Sequence, residues 1–304
     1  MNVKRFLIKL SVFVILLIIT DIVVTKIMQI AYFNTPAGEI HKNDYLLNHS
    51  KEDIVVFGAS GATHHYDPRI FEDTLGMTCF NAGCDGTGFN FGYPSFIYML
   101  NRYTPKVIIL DMARPEYGEY VNSNVIRRDP LPMLAPFYGN VAKFDSLLTN
   151  DWRDKVKMLS GMYRYNSKIG SMLSGYFMPY EESGGYFPLD KVLKQQERKV
   201  VNDDFKFIDD KFNQIINFVN IAREKGCIVV FAASPYYAID TTDVYAPIND
   251  VFNQEGVYKL DYRQDPYFMS SHEFFADMPA HLNGNAAEEY SRRVASDIKR
   301  ILKK

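Results

Sequence analysis

The chain is poor in cysteine. Its three cysteines, Cys79, Cys84 and Cys227, are too few and odd in number for a disulfide framework. Cys79 and Cys227 stand in apolar, strand-like runs and read as small buried hydrophobes. Cys84 falls in a glycine-rich turn, where exposure is expected, and nothing beside it marks a nucleophile. Surplus charge is also lacking: 34 Lys and Arg against 36 Asp and Glu leave a net charge of -2. That excludes the basic patch or high pI of a nucleic-acid binder. Internal repeats and low-complexity tracts are absent, as are zinc-ligand spacings, the P-loop and the GxGxxG fingerprint, so no metal or cofactor is expected. What is plentiful is apolar and aromatic residues, 47% and 14% of 304, enough for one sizeable α/β domain or two small ones.

The N-terminus carries Lys4, Arg5 and Lys9, then an uncharged run from Leu10 to Thr20 and a mostly apolar continuation to Phe33. As a helix, residues 6–28 would reach ~35 Å, enough to span a bilayer. No small-x-small cleavage site follows, so an uncleaved anchor is expected rather than a signal peptide. Basic residues at its start place the N-terminus in the cytoplasm and the rest beyond the cytoplasmic membrane, in the periplasm of a Gram-negative cell. Asp21 interrupts this span. It is expected to reach the solvated outer interface; the sharper alternative is contact with a membrane partner's helix. Residues 34–52 are polar, with Pro36 and Gly38, and read as a tether in which His41 and His49 are solvated.

From Asp53 the chain alternates. Apolar runs at 53–57, 77–81, 106–112 and 227–232 read as four buried strands. Residues 68–75, 93–103, 205–225 and 285–302 read as helices. Continuous apolar strands between helices predict an α/β domain over 53–304 with a mainly parallel sheet covered on both faces. Residues 113–204 are too long for a plain crossover and predict an inserted helical cap. Its aromatics are expected to fill the cap's own core, with a sugar-stacking surface as the alternative.

Candidate chemistry gathers around Ser60. The run Ile54-Val-Val-Phe57 ends abruptly in Gly58-Ala-Ser60-Gly61, which places a serine at the carboxyl edge of the sheet. A serine needs a base, and the base an orienting group. His281 lies in a loop just before the last helix, with Asp277 four residues upstream. His64 and His65 follow Ser60 closely and either line the pocket or pack at a helix start. A lone serine in such a turn is also compatible with a phosphate cradle, and a lone loop histidine with a solvated surface. The joint pattern favours a functional pair.

These blocks, Gly58-Ala-Ser60, Asn81-Ala-Gly-Cys-Asp-Gly86, and Asp277 with His281-Leu-Asn283, resemble the SGNH (GDSL-type) hydrolases over about residues 53–112 and 205–302. The anchor and the insertion are similar to the membrane-anchored, envelope-polysaccharide branch of that family. The resemblance implies a flavodoxin-like three-layer sandwich and a serine esterase or acyltransferase acting on O-acyl groups of a cell-envelope glycan. It implies Ser60 as nucleophile, His281 as base, Asp277 as its orienting acid, and the backbone amides of Ser60 and Gly86 as oxyanion donors. Two positions depart from the family pattern. Its acid usually stands three residues before the histidine, not four. The asparagine-bearing block after the third strand is replaced by Leu110-Asp111-Met-Ala-Arg114. Arg114, or Asn166 in the insertion, is the candidate donor in its place. The alternative is a non-catalytic accessory protein that binds a glycan or a membrane-bound O-acyltransferase.

Overall fold

The structure, a computed structural model, describes residues 3–112, 116–120, 128–149, 151–178, 183–201, 205–240, 243 and 245–303. The chain forms two compact units: Met1–Tyr45 with Pro130–Glu181, and Leu46–Asp129 with Glu182–Lys304.

The second unit is an α/β domain built on a five-stranded sheet: β1 (Ile54–Phe57), β2 (Cys79–Asn81), β3 (Val107–Asp111), β4 (Ile228–Ala233) and β5 (Val257–Asp261). All neighbours pair in parallel, in the order β2-β1-β3-β4-β5. Four of these strands are the expected ones. The fifth, β5, escaped the sequence reading because it is an edge strand in which, after the buried Val257, residues alternate between half-buried and exposed, so it carries no continuous apolar run.

Strand geometry divides the core between two faces, since successive side chains point to opposite sides. Ile54, Val56, Val107, Ile109 and Val230 share one cluster with Phe71 of the Pro68–Leu75 helix and with Tyr290, Val294 and Ile298 of the closing helix, Gly284–Ile301. On β1 the alternate residue Phe57 meets Phe96 of the Phe89–Met99 helix and Phe218 of the Asp209–Glu224 helix edge-on. The ends of the Pro68–Leu75 helix follow from its sequence. Asp67 caps Arg69 N–H, Pro68 opens the first turn, and Gly76 closes the helix at φ 66°. Cys84 is buried rather than exposed, because its amide is tied to the Gly58 carbonyl below the β1 end.

The first unit contains the helix Val3–Phe33, long and apolar enough to cross a membrane. Its C-terminal turns are built into the unit. Tyr32 is buried and packs edge-on against Phe137 and Tyr165. Lys168 pairs with Glu39 at 3.0 Å. Asp21, half-buried, finds its partners within the same unit. It accepts from Ser160 Oγ at 2.6 Å, Met162 N at 3.1 Å and Gly161 N at 3.2 Å, closing the start of the Gly161–Tyr165 helix.

Residues 34–52, read as a tether, carry secondary structure. They form the Gly38–Asp44 helix and a wider turn over Tyr45–His49, and bury Ile40, Leu46 and Leu47. Within the α/β unit, the Arg102 guanidinium donates to the Leu46, Leu47 and Ser50 carbonyls. The apolar residues in this stretch are too sparse to mark a helix by period alone. His41 and His49 are exposed, as expected.

Candidate active site

Parallel strands deliver all their carboxyl ends to one edge, so the loops after β1, β2, β3 and β4 converge there. Ser60 is the first residue of the short helix Ser60–His65, three residues beyond the last residue of β1. The turn demands glycine at position 61. A Cβ there would collide with the Asp111 carboxylate and stand 3.0 Å from Ser234 Oγ.

Three side chains from distant segments form a continuous chain. Ser60 Oγ lies 2.8 Å from His281 Nε2, and His281 Nδ1 lies 2.9 Å from Asp277 Oδ1. With Nδ1–H donating to the carboxylate, Nε2 presents the lone pair that receives the serine proton. The four-residue spacing from Asp277 to His281 works because the segment is a turn and not a helix. Ala276 N–H donates to His281 O, His281 N–H donates to Met278 O, and a bridge between Phe275 and Leu282 closes the loop.

Burial holds the His281 imidazole below its ordinary pKa, against the opposing pull of the Asp277 hydrogen bond, and neighbouring His64 depresses it further. Burial pushes Asp277 up, but the hydrogen bond and charge of His281 outweigh it and leave the carboxyl below the usual range. At neutral pH the resting pair is therefore a neutral base beside an ionised acid, the state general-base chemistry requires.

The two histidines after Ser60 part company. His65 is fully buried and its Nε2 accepts the Leu282 amide at 2.9 Å, so it supports the loop that carries His281. Burial keeps it neutral, with a pKa well below the ordinary histidine value. His64 stays beside the chemistry. Its ring centroid is 5.2 Å from that of His281, its Nδ1–H donates to the Phe187 carbonyl at 2.7 Å, and its Nε2 is 3.4 Å from Asp85.

Beneath the serine turn lies a polar network that sequence reasoning did not assemble. Asp111, at the end of β3, accepts from Tyr66 Oη at 2.9 Å and from Ser234 N–H at 3.3 Å, while Tyr290 Oη adds a 2.8 Å bond to Tyr66. Burial pushes the Asp111 carboxyl up to about 7 despite the hydrogen bonds that favour its ionised form. Asn81 ties the end of β2 to the serine helix by donating to the Ala62 and Tyr66 carbonyls. The one local signal was an aspartate ending an otherwise apolar strand; its partners lie 45 and 123 residues away.

Gly86, the candidate oxyanion residue, lies in the loop after β2 with φ 73°, a conformation that favours glycine. Arg128 lies over it: its backbone N–H donates to Gly86 O, and its guanidinium to the Asp85 carbonyl. Arg114 lies outside the described residues. Asn166 belongs to the other unit, exposed at the start of a 3-10 turn. After β3 the structure instead places Glu116, whose carboxylate accepts from Phe89 N–H at the start of the Phe89–Met99 helix. Among the described residues, no three His, Cys, Asp or Glu are grouped to hold a metal. A cleft of about 640 Å³ between residues 191–196 and 276–279 reaches Asp277 but includes neither Ser60 nor His281 in its lining.

No protein-family model, curated protein or solved structure matches this chain.

Proposed function

We propose that this chain is an SGNH-type serine esterase or acyltransferase, carried on a flavodoxin-like sheet and held outside the cytoplasmic membrane by its N-terminal helix. The observation that carries the reading is the hydrogen-bonded sequence Ser60–His281–Asp277, with the base neutral and the acid ionised. The strand order β2-β1-β3-β4-β5, all parallel, is that of doubly wound flavodoxin-like sheets, and Ser60 sits at its carboxyl edge. The packing of Asp21 and Tyr32 into the first unit supports an anchor that is kept rather than cleaved. The resemblance to the envelope-polysaccharide branch, together with this anchor, supports an O-acylated glycan as substrate.

In the proposed reaction, Ser60 Oγ attacks the acyl carbonyl carbon while its proton passes to His281 Nε2. Collapse of the tetrahedral intermediate breaks the bond to the sugar oxygen, which leaves with the proton from His281. Water or a second sugar hydroxyl then gives its proton to His281 and attacks the acyl-Ser60 ester; the acyl–Oγ bond breaks and His281 passes that proton to Ser60 Oγ, restoring the resting site. Asp277 stabilises the imidazolium formed in each half. The Ser60 amide at the start of its helix and the Gly86 amide are the proposed oxyanion donors, each worth roughly 3 kcal/mol at the transition state.

The test is labelling with a serine-reactive fluorophosphonate. Wild type is expected to label at one site and Ser60→Ala not at all. Equal labelling of the two sinks the covalent mechanism. Absence of label on wild type would favour the accessory role, which predicts a co-purifying membrane-bound O-acyltransferase unaffected by Ser60→Ala.

A further inference from the structure

The helix Trp152–Leu159 is amphipathic in an unusual sense, since its apolar stripe faces outward. Trp152, Val156 and Leu159 fall at i, i+4 and i+7 on one face and are 68%, 55% and 78% exposed, whereas Met158 is buried. Arg153, Lys155 and Lys157 stand among them, exposed, with Lys157 also paired to Asp154 at 3.1 Å. Met162, three residues past the helix end at Leu159, extends the apolar surface at 41% exposure. Tryptophan and aliphatic residues interleaved with cations are the composition of helices that lie in a membrane interface.

The depth of this surface can be set from within its own unit. A bilayer core takes about 20 helical residues. Counted from Phe6, the first residue after Lys4 and Arg5, the Val3–Phe33 helix leaves the hydrocarbon near Thr25. That is where the Ser160 turn is fastened: Asp21 receives Ser160 Oγ, Gly161 N–H and Met162 N–H, and Gly161 lies so close to the Thr25 side chain that it has no room for a Cβ. Leu159 and Met162 flank that clamp.

The Ile169–Phe177 helix also exposes apolar residues, Leu173 and Phe177 among them, but at a different level. Its Tyr176 Oη donates to the Ala31 carbonyl, ten residues beyond Asp21 and therefore roughly 15 Å further along the helix axis.

We propose that the Trp152–Leu159 helix and the turn that follows lie in the bilayer interface at the C-terminal side of the Val3–Phe33 span. Trp152, Val156, Leu159 and Met162 enter the boundary between headgroups and acyl chains, and Arg153, Lys155 and Lys157 meet lipid phosphates. The surface acts as a second, in-plane membrane contact beside the span. It rests on the reading of Val3–Phe33 as a membrane span and is independent of the chemistry at Ser60.

The chain has one tryptophan, so emission excited beyond the tyrosine absorption band reports this helix alone. The full-length protein, reconstituted without other proteins, is compared in liposomes of plain lipid and of lipid brominated high on the acyl chains. Trp152 emission is expected to be quenched roughly two-fold or more by the brominated lipid, as for a side chain seated about 5–10 Å into the interface. The double variant Trp152→Phe, Leu173→Trp moves the reporter to the higher level, and its emission is expected to be equal in both. Equal Trp152 emission in the two liposomes, with the protein resistant to alkaline carbonate, overturns the interfacial seat and leaves the span intact. Release by carbonate overturns the span and the proposal together. Shielding of Trp152 that requires a co-purified multi-span protein assigns the face to a protein and also overturns it.

Discussion

His281 Nε2 meets Ser60 Oγ at 2.8 Å across 221 residues of sequence. A base and a nucleophile that form one hydrogen-bonded unit act together in the transition state, so removing either removes the same step. Ser60→Ala, His281→Ala and the double variant are expected to lower kcat/KM on an activated acetyl ester to the same floor. Asp277→Asn, which leaves the ring without its carboxylate partner, is expected to cost about 10⁴-fold in kcat. If the Ser60 and His281 losses multiply in the double variant, they do not share a step.

The pH profile follows from the direction of the His281 shift. The base works when neutral, so activity rises with pH through the folded-state pKa and is then flat. Burial holds that pKa below the ordinary ~6.5, so the acidic limb should lie below pH 6.5. His64 contributes to the depression, and His64→Gln should move the limb toward higher pH. A limb that stays put, measured as kcat/KM from pH 4 to 8, would remove His64 from the electrostatics of the site.

Asp111 has the opposite consequence for stability. Its folded pKa, about 7, is raised above the unfolded carboxylate value near ~3.9, so the folded state prefers the protonated form. Stability from this group is fully present below the unfolded pKa and is lost as pH rises through about 7. Asp111→Asn preserves the Oδ1 acceptor used by Tyr66 and Ser234, so the fall in Tm between pH 5 and 8 should flatten in the variant. An unchanged slope would place the pH dependence elsewhere.

Asp21→Ala removes the acceptor for three donors around Ser160. Loss of a capping carboxylate typically costs about 0.5–2 kcal/mol. Limited proteolysis within residues 130–181 is expected to quicken, with Asp21→Asn intermediate. Identical digestion of wild type and Asp21→Ala would show that the clamp contributes nothing to the order of this unit.

What could be read from the sequence was whatever neighbouring residues decide among themselves. Four apolar runs marked four of the five strands of the central sheet. Asp67-Pro68 marked a helix start, and Gly58-Ala-Ser60-Gly61 marked the serine's place at the strand edge. Asp277 and His281 were readable as a pair only by their nearness in sequence. Their spacing suggested a mismatch because it was measured against the family's three, and the turn closed by Phe275 and Leu282 removes it.

Where the partner was distant, local pattern carried no trace of it. Asp21 read as a polar flaw in an apolar helix until Ser160, 139 residues away, supplied its donors. His65 and His64 are adjacent and chemically identical, yet one is a buried acceptor for Leu282 N–H and the other stands beside the base. Local periodicity and turn chemistry thus set the strands, the apolar N-terminal helix and the position of Ser60 on the basis of the sequence alone. Only the tertiary structure decided which carboxylates and imidazoles surround Ser60 and which hold the frame. Hydrogen-bond partners are chosen by proximity in space, which the parallel sheet creates between segments remote in the chain.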